Sequence, residues 1–185
     1  MADLTTLANV KEHLDIESGE TQFDQLLARM ITASSRQIEA YCNRTFGITA
    51  RTELYDGNAS DILFLDHTPI VSVASVAIDE EAMAADEYKV YDDYVRLCSR
   101  LFTPGEQNVE IQYSAGFYDP AIESPPPDLE DACIQLVSFK YFMRGAEGIT
   151  SRQVNKVTDN FASAAIPLSV ALILDKYRRA RVGAV

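Results

Sequence analysis

Asp66 and His67 are the adjacent residues in this sequence that most resemble an acid–base couple. An aspartate beside a histidine can orient the imidazole as a general base. Only one other histidine occurs, His13, and no nucleophile motif accompanies either of them. We therefore favour the interpretation that His67 is a histidine of a turn, stabilised by the neighbouring Asp66, without a catalytic role. A metal-dependent hydrolase or nuclease that uses Asp66 and His67 is the alternative.

Other residues that could bind metal or phosphate lack the spacing that such sites require. Asp56, Asp61 and Asp66 are evenly spaced, but they lack the glycine and terminal glutamate of a calcium loop. Gly116 stands outside any GxxxxGK[ST] pattern. The three cysteines form no CxxC pair and are expected to be reduced thiols of the core: Cys42, Cys98 and Cys133. These patterns thus predict no catalytic residue, no metal and no cofactor, and nothing in them supports an enzyme.

Charge is distributed unevenly along the chain, whose formal net charge is −12. Residues 50–127 contain fifteen acids and four bases, whereas residues 128–185 contain six acids and eight bases. A general affinity for nucleic acid needs clustered lysines and arginines, so the acidic middle argues against one. No apolar stretch is long enough to span a bilayer, and no membrane partner is expected.

The last part of the chain concentrates positive charge. Four bases occur within six residues, in the order Lys176, Tyr177, Arg178, Arg179, Ala180 and Arg181. These cations could interact favourably with the dipole at the C-terminus of a helix, and each would then stabilise the helix by about 0.3–1 kcal/mol. They could equally form a basic peptide that docks on an acidic partner. The sequence leaves both interpretations open.

Hydrophobic periodicity predicts an α+β fold. A period near 3.6 predicts helices over Thr6–Leu14, Gln22–Cys42, Asp128–Met143 and Leu168–Tyr177. A period of two predicts antiparallel strands over 51–55, 62–65, 71–78, 88–91, 94–97 and 109–113. Residues 145–165 have weak periodicity and are predicted to form a long loop or arm. The expected organisation is a single compact chain, with a helical core of residues 1–49 and 128–185 and a β-rich insertion of residues 50–127.

The predicted helix over Asp128–Met143 is apolar around nearly its whole circumference. Such a helix is buried by several neighbours or by adjacent subunits. Phe139 and Phe142, near its end, are our candidates for packing between subunits.

Several stretches, read in order, resemble the bacteriophage head–tail connector (adaptor) proteins, in particular the longer members with a β-rich insertion. A short L-x-x-V-K-x-x-L helix precedes a long helix that ends in I-E-x-Y-x-x-R-x-F. The stretches LDHTPIVSVASVAID, VEIQYSAGFYD and IPLSVALILDKYRR are similar to later motifs of the family. The matching N-terminal residues are Leu7, Val10, Lys11, Leu14, Ile38, Glu39, Tyr41, Arg44 and Phe46.

This resemblance implies a structural virion protein without catalysis or cofactor, made in the host cytoplasm and located in the neck. Members of the family form a ring, typically dodecameric, beneath the portal protein. The ring extends the DNA channel, through which DNA passes without sequence-specific binding, and docks a downstream stopper or tail protein. Another neck component, such as a stopper or tail-completion protein, is the alternative. The residues expected to contact the portal are Lys176, Tyr177, Arg178, Arg179 and Arg181.

Overall fold

The computed structural model describes residues 2–144, 151–154, 157–160 and 166–179, with backbone alone for 151–154 and 157–160. Its helices are α1 (Leu7–His13), α2 (Asp24–Cys42), α3 (Pro127–Met143) and α4 (Leu168–Leu174). Its strands are β1 (Thr49–Gly57), β2 (Ile62–Phe64), β3 (Ile70–Ile78), β4 (Glu81–Ala82), β5 (Tyr88–Val90), β6 (Tyr94–Leu97), β7 (Gly105–Ala115), β8 (Ser151–Val154) and β9 (Val157–Asn160). The prediction of a mixed α+β fold, with helices at both ends of an antiparallel β-rich segment, is confirmed.

The chain divides into two compact units. Met1–Asn43 and Ser124–Val185 form the helical unit, and Arg44–Glu123 forms the β unit. No helix among the described residues is long and apolar enough to cross a membrane.

The helical unit is built by helices from both ends of the chain. Thr6 caps α1, because its hydroxyl oxygen accepts the Asn9 N–H at 3.2 Å. The helix α2 ends where Asn43 adopts a left-handed conformation, with φ 52°. Pro127 opens α3, where its missing N–H and fixed φ suit the first turn. Both α2 and α4 pack against α3 and bury its residues Leu129, Ala132, Cys133, Leu136 and Val137.

The β unit contains two antiparallel sheets that share one hydrophobic core. The first has the strand order β1-β7-β3-β4, and the second has the order β2-β6-β5. Alternate residues of β7, among them Ile111 and Tyr113, point into the core. Their neighbours Glu110 and Gln112 lie on the other face. The fully buried Phe102 lies in the segment that joins β6 to β7.

Residues 145–165, predicted to form a long loop or arm, contain two regular strands in the part that the structure describes, so the prediction of a loop is wrong there. Ser151–Val154 and Val157–Asn160 form an antiparallel hairpin, with Val154 opposite Val157. A strand of four residues that mixes Ser, Arg and Gln with one Val carries no alternation strong enough to predict it.

Candidate functional site

The segment that follows α4 is held against the helical unit. The Tyr177 hydroxyl donates to Asp128 Oδ1, 2.6 Å away, in the first turn of α3. The Lys176 ammonium lies 3.8 Å from the other oxygen of the same carboxylate. Burial, followed by the hydrogen bond to Asp128, raises the pKa of Tyr177 to about 12, so this hydroxyl remains a donor at neutral pH.

Two further contacts join the segment to the end of α2. The Arg179 N–H donates to the Cys42 carbonyl oxygen at 2.9 Å, which satisfies one of the carbonyls left unpaired at the helix terminus. The Arg178 guanidinium lies 5.3 Å from the centre of the Tyr41 ring. The Tyr41 hydroxyl in turn donates to Asp175 at 2.8 Å.

The predicted basic segment is therefore fixed in place over residues 176–179. Its cations are presented at the surface, since the Lys176 side chain is 69% exposed and Arg178 is exposed as well. Arg181, the remaining base of the prediction, lies outside the described residues. The segment can both contact the end of a helix and dock on an acidic partner. The two interpretations are compatible because its cations stay exposed while its backbone is held against α2.

Large apolar side chains are exposed on α3 and α4. Phe142 is 72% exposed, whereas Phe139 is half-buried. Leu168 and Leu172 are 75% and 62% exposed, and they lie on one face of α4 because they are four residues apart. These two leucines were not among the predicted interface residues, and they lie on the side of α4 opposite the buried Val170 and Leu174. Phe142, Leu168 and Leu172 are called the apolar surface set below.

An aromatic cluster holds Phe142 in position at the end of α3. Tyr141 meets Phe142 edge to face, with ring centres 5.7 Å apart, and Phe23 in the same way at 5.9 Å. The Arg144 guanidinium lies 3.9 Å from the centre of the Tyr141 ring. The exposed phenyl ring of Phe142 is thus supported by a packed neighbour, which reduces the conformational entropy that a contact would cost.

The predicted acid–base couple belongs to a hydrogen-bonded network in the β unit. His67 Nε2 lies 3.3 Å from Glu53 Oε1 on β1. The hydroxyls of Tyr55 and Tyr113 each donate to Glu53 Oε2 at 2.5 Å. The Asp66 N–H donates to the Tyr55 hydroxyl oxygen at 3.0 Å. Glu53, which is half-buried, therefore accepts from several donors at once, as a structural carboxylate does.

Burial raises the pKa of both phenols in this network. It raises the pKa of Tyr113 to about 12 and raises the pKa of Tyr55 as well, and in both cases the Glu53 carboxylate adds to the effect. Both phenols are therefore donors at neutral pH. Within the described residues, no group of three or more His, Cys, Asp or Glu side chains is placed to hold a metal ion.

The fold is similar to chains in solved gene transfer agent particles. One belongs to the neck of an empty gene transfer agent (GTA) particle computed with C6 symmetry; the TM-score is 0.66 at 20% identity, over 96% of this chain and 91% of that one. A second belongs to the neck of a native particle computed with C12 symmetry; the TM-score is 0.63 at 20% identity, over 97% and 91% of the two chains. At this identity the likeness establishes the fold.

Sequence comparison identifies the family. The head completion protein of Escherichia phage T5 is 30% identical over 118 residues, which are 63% of this chain. The match spans 64% of the length of the T5 protein, less than two thirds of it. The sequence model of the head completion protein family matches residues 3–180. Because that match includes nearly the whole sequence, the chain belongs to the head completion protein family.

Proposed function

We propose that the protein is a structural subunit of the neck of a tailed phage or a related particle, made in the host cytoplasm and assembled as a dodecameric ring beneath the portal. The ring extends the DNA channel and docks the next neck or tail component, without catalysis. The observation that carries this proposal is the family match over residues 3–180. The likeness in fold to chains from particle necks computed with C6 and C12 symmetry supports it.

The apolar surface set supplies a physical reason to associate. Full burial of a Leu or Phe side chain is worth about 1.5–3 kcal/mol relative to its exposed state. Three such residues, each more than 60% exposed, are candidates for the packing of one subunit on the next. Phe139 is half-buried, and the part of its ring that is still exposed would also be buried between subunits.

The acidic charge suits a channel through which DNA must slide. A lumen that attracted phosphates would hold DNA through counterion release, as basic proteins do. A net charge of −12 disfavours such contacts. The basic segment Lys176–Arg179, with Arg181, would instead meet an acidic surface of the portal.

Ring formation can be tested with matched variants. We expect the wild-type protein, alone or with portal, to give rings with a central hole in negative-stain images. Phe142→Ala combined with Leu172→Ala should weaken association at least tenfold in light scattering after size exclusion. Ile122→Ala is the control, because Ile122 is 81% exposed but belongs to the β unit. Equal effects of both variants would argue against the apolar surface set. A protein that forms no ring, even with portal, would argue for a stopper or tail-completion role.

Portal docking can be tested through charge. Lys176, Arg178, Arg179 and Arg181 are replaced together by glutamine, while Tyr177 is kept so that its bond to Asp128 remains. We expect loss of sedimentation with portal-bearing heads and a cooperative melting curve close to that of the wild type, lowered only by the lost contacts of Lys176 with Asp128 and of Arg178 with Tyr41. The control replaces Arg29 and Arg36, which are exposed bases on α2, by glutamine. Unchanged attachment of the tail variant would remove the basic segment from the portal contact.

A further inference from the structure

The four-stranded sheet has a long strand with one side unpaired. The strand β1 comprises nine residues and pairs only with β7 among the described strands. At about 3.3 Å per residue, this edge is about 30 Å long. Edge strands that are not blocked by proline, lysine or a covering loop offer a template for another strand. Thr49–Gly57 contains neither proline nor lysine.

The hydrogen-bond pattern identifies which groups of β1 face outward. The Asp79 N–H donates to the Asn108 carbonyl oxygen at 2.8 Å, so the backbone of Asn108 points towards the β3 side of β7. Because backbone groups alternate along a strand, Val109, Ile111 and Tyr113 point towards β1. Their partners on β1 are Tyr55, Glu53 and Arg51. The N–H and C=O groups of Ala50, Thr52 and Leu54 therefore point to the open side.

The opposite edge of the same sheet is covered. The Ile70 N–H donates to the Asp92 carbonyl oxygen at 2.7 Å, and the Val76 carbonyl accepts the Met83 N–H at 2.8 Å. The short strand β4 pairs with the end of β3. Between residues 50 and 56, by contrast, no backbone hydrogen bond other than those with β7 occurs within the described part of the chain. Within the described part of this sheet, β1 thus offers the longer open edge, whereas the opposite edge is covered at both ends of β3.

The described strands also include a hairpin to which no third strand is added. Among the described strands, β8 and β9 pair only with each other. A two-stranded hairpin alone is marginal in water, and a third strand or a packing surface is needed for stability. Each of its strands has four residues, or about 13 Å, which fits within the length of β1. One molecule therefore carries both an open edge and a hairpin whose two strands pair only with each other among the described strands.

We infer that the β8–β9 hairpin of one copy pairs with the β1 edge of the next copy and extends its four-stranded sheet. This inference rests on the proposed ring. Two different surfaces meet, so the contact is heterologous and can propagate around a ring, whereas β1 paired with β1 would give a closed two-fold dimer. Charge favours the pairing, because residues 151–160 contain Arg152 and Lys156 against Asp159, whereas the β unit is strongly acidic.

Thr52→Pro tests the edge. Its N–H points to the open side, so proline removes no bond to β7, and proline is tolerated at such edge positions. We expect a folded monomer that associates at least tenfold more weakly than the wild type, whereas the control Thr52→Ala should assemble normally. In wild-type rings, amide hydrogen exchange at Ala50, Thr52 and Leu54 should be at least tenfold slower than in the monomer.

A second variant replaces residues 151–160 by a Gly-Ser sequence of equal length. It should show the same defect, and an equimolar mixture with Thr52→Pro should form a dimer, because each variant keeps the surface that the other lacks. Rings from either variant alone at wild-type yield would overturn the inference while leaving the ring proposal intact. Protection of β1 in the Gly-Ser variant, by portal or by a second β1, would also overturn it. A wild type that stays monomeric with portal, with β1 unprotected, would overturn both proposals.

Discussion

Replacement of Gly116 by alanine should cost a large part of the stability of the β unit. Gly116 has φ +152°, a conformation that residues with a side chain rarely adopt. An added Cβ atom would lie 2.5 Å from Ile48 N and 2.6 Å from Ile48 Cα. These are backbone atoms, which cannot rotate away as a side chain could. They are also fixed by the bond from the Ile48 N–H to the Tyr118 carbonyl oxygen, 2.8 Å long.

The magnitude follows from two costs. A sparsely populated backbone conformation costs about 1–3 kcal/mol, and forced overpacking typically costs about 1–3 kcal/mol more. We therefore expect Gly116→Ala to lower the free energy of unfolding by about 2–6 kcal/mol. With a urea m-value of about 1–3 kcal/mol/M, the midpoint should fall by roughly 1 M or more.

Urea unfolding followed by circular dichroism and tyrosine fluorescence measures this effect, since the chain contains nine tyrosines and no tryptophan. Gly19→Ala is the matched control. No atom lies within 4 Å of a Cβ added there, and its φ is not in the left-handed region. It should change stability by no more than about 1 kcal/mol. Equal midpoints for Gly116→Ala and Gly19→Ala would refute the close approach of the two backbone segments.

Three further outcomes are expected. The prediction that all three cysteines lie in the core is wrong for Cys98, which is exposed, whereas Cys42 and Cys133 are buried. In the native protein, a maleimide reagent should therefore label Cys98 and spare the other two; burial also raises the pKa of the Cys133 thiol to about 11. Labelling of all three at equal rates would contradict this burial. Tyr177→Phe should lower stability by about 1 kcal/mol, measured by urea unfolding, because a hydrogen bond to a partly exposed carboxylate is lost; no change would mean that the segment after α4 is held by other contacts. Stability should fall between about pH 9 and 12, because folding raises the pKa of Cys133 to about 11 and the pKa values of Tyr113 and Tyr177 to about 12, so these groups lose their protons at lower pH in the unfolded chain. In a pH series of melting curves, Tyr113→Phe should reduce the part of that fall that lies above about pH 10.

The regular elements could be predicted because their periods are strong. Both α2 and α3 end where the sequence predicted, at Cys42 and Met143. The strand β7 is longer than the predicted strand over 109–113, since it begins at Gly105 and ends at Ala115. The helix α4 is shorter than predicted, because it ends at Leu174 and not at Tyr177. There, the tertiary contact of Tyr177 with Asp128 overrides local helix propensity.

The family was recognisable for a different reason. Ordered motifs over nearly the whole chain carry more information than any single one, and the recognition of a phage head–tail family is confirmed by the match over residues 3–180. The residues assigned to the portal and to the subunit interface stay predictions. Sequence alone could not reveal that Phe142 is exposed while Leu136 is buried, because both lie on an apolar helix and only its packing partners distinguish them. Glu53 was missed as the partner of His67, because the two residues are brought together by a sheet and not by spacing.

The shortness of α4 couples the two associations proposed for the helical unit. A helix of seven residues is far below the length that is stable alone in water, so its order depends on contacts at its ends and along its face. Leu168 and Leu172 would meet a neighbouring subunit, while the residues just after α4 would meet the portal. A partner that binds either part stabilises the same turns of helix, so binding at one part would raise affinity at the other by an equal factor. Binding of the portal would then strengthen the contact between subunits, and the contact between subunits would strengthen binding of the portal. When subunits are scarce, this coupling would favour complete rings on some portals over partial rings on many.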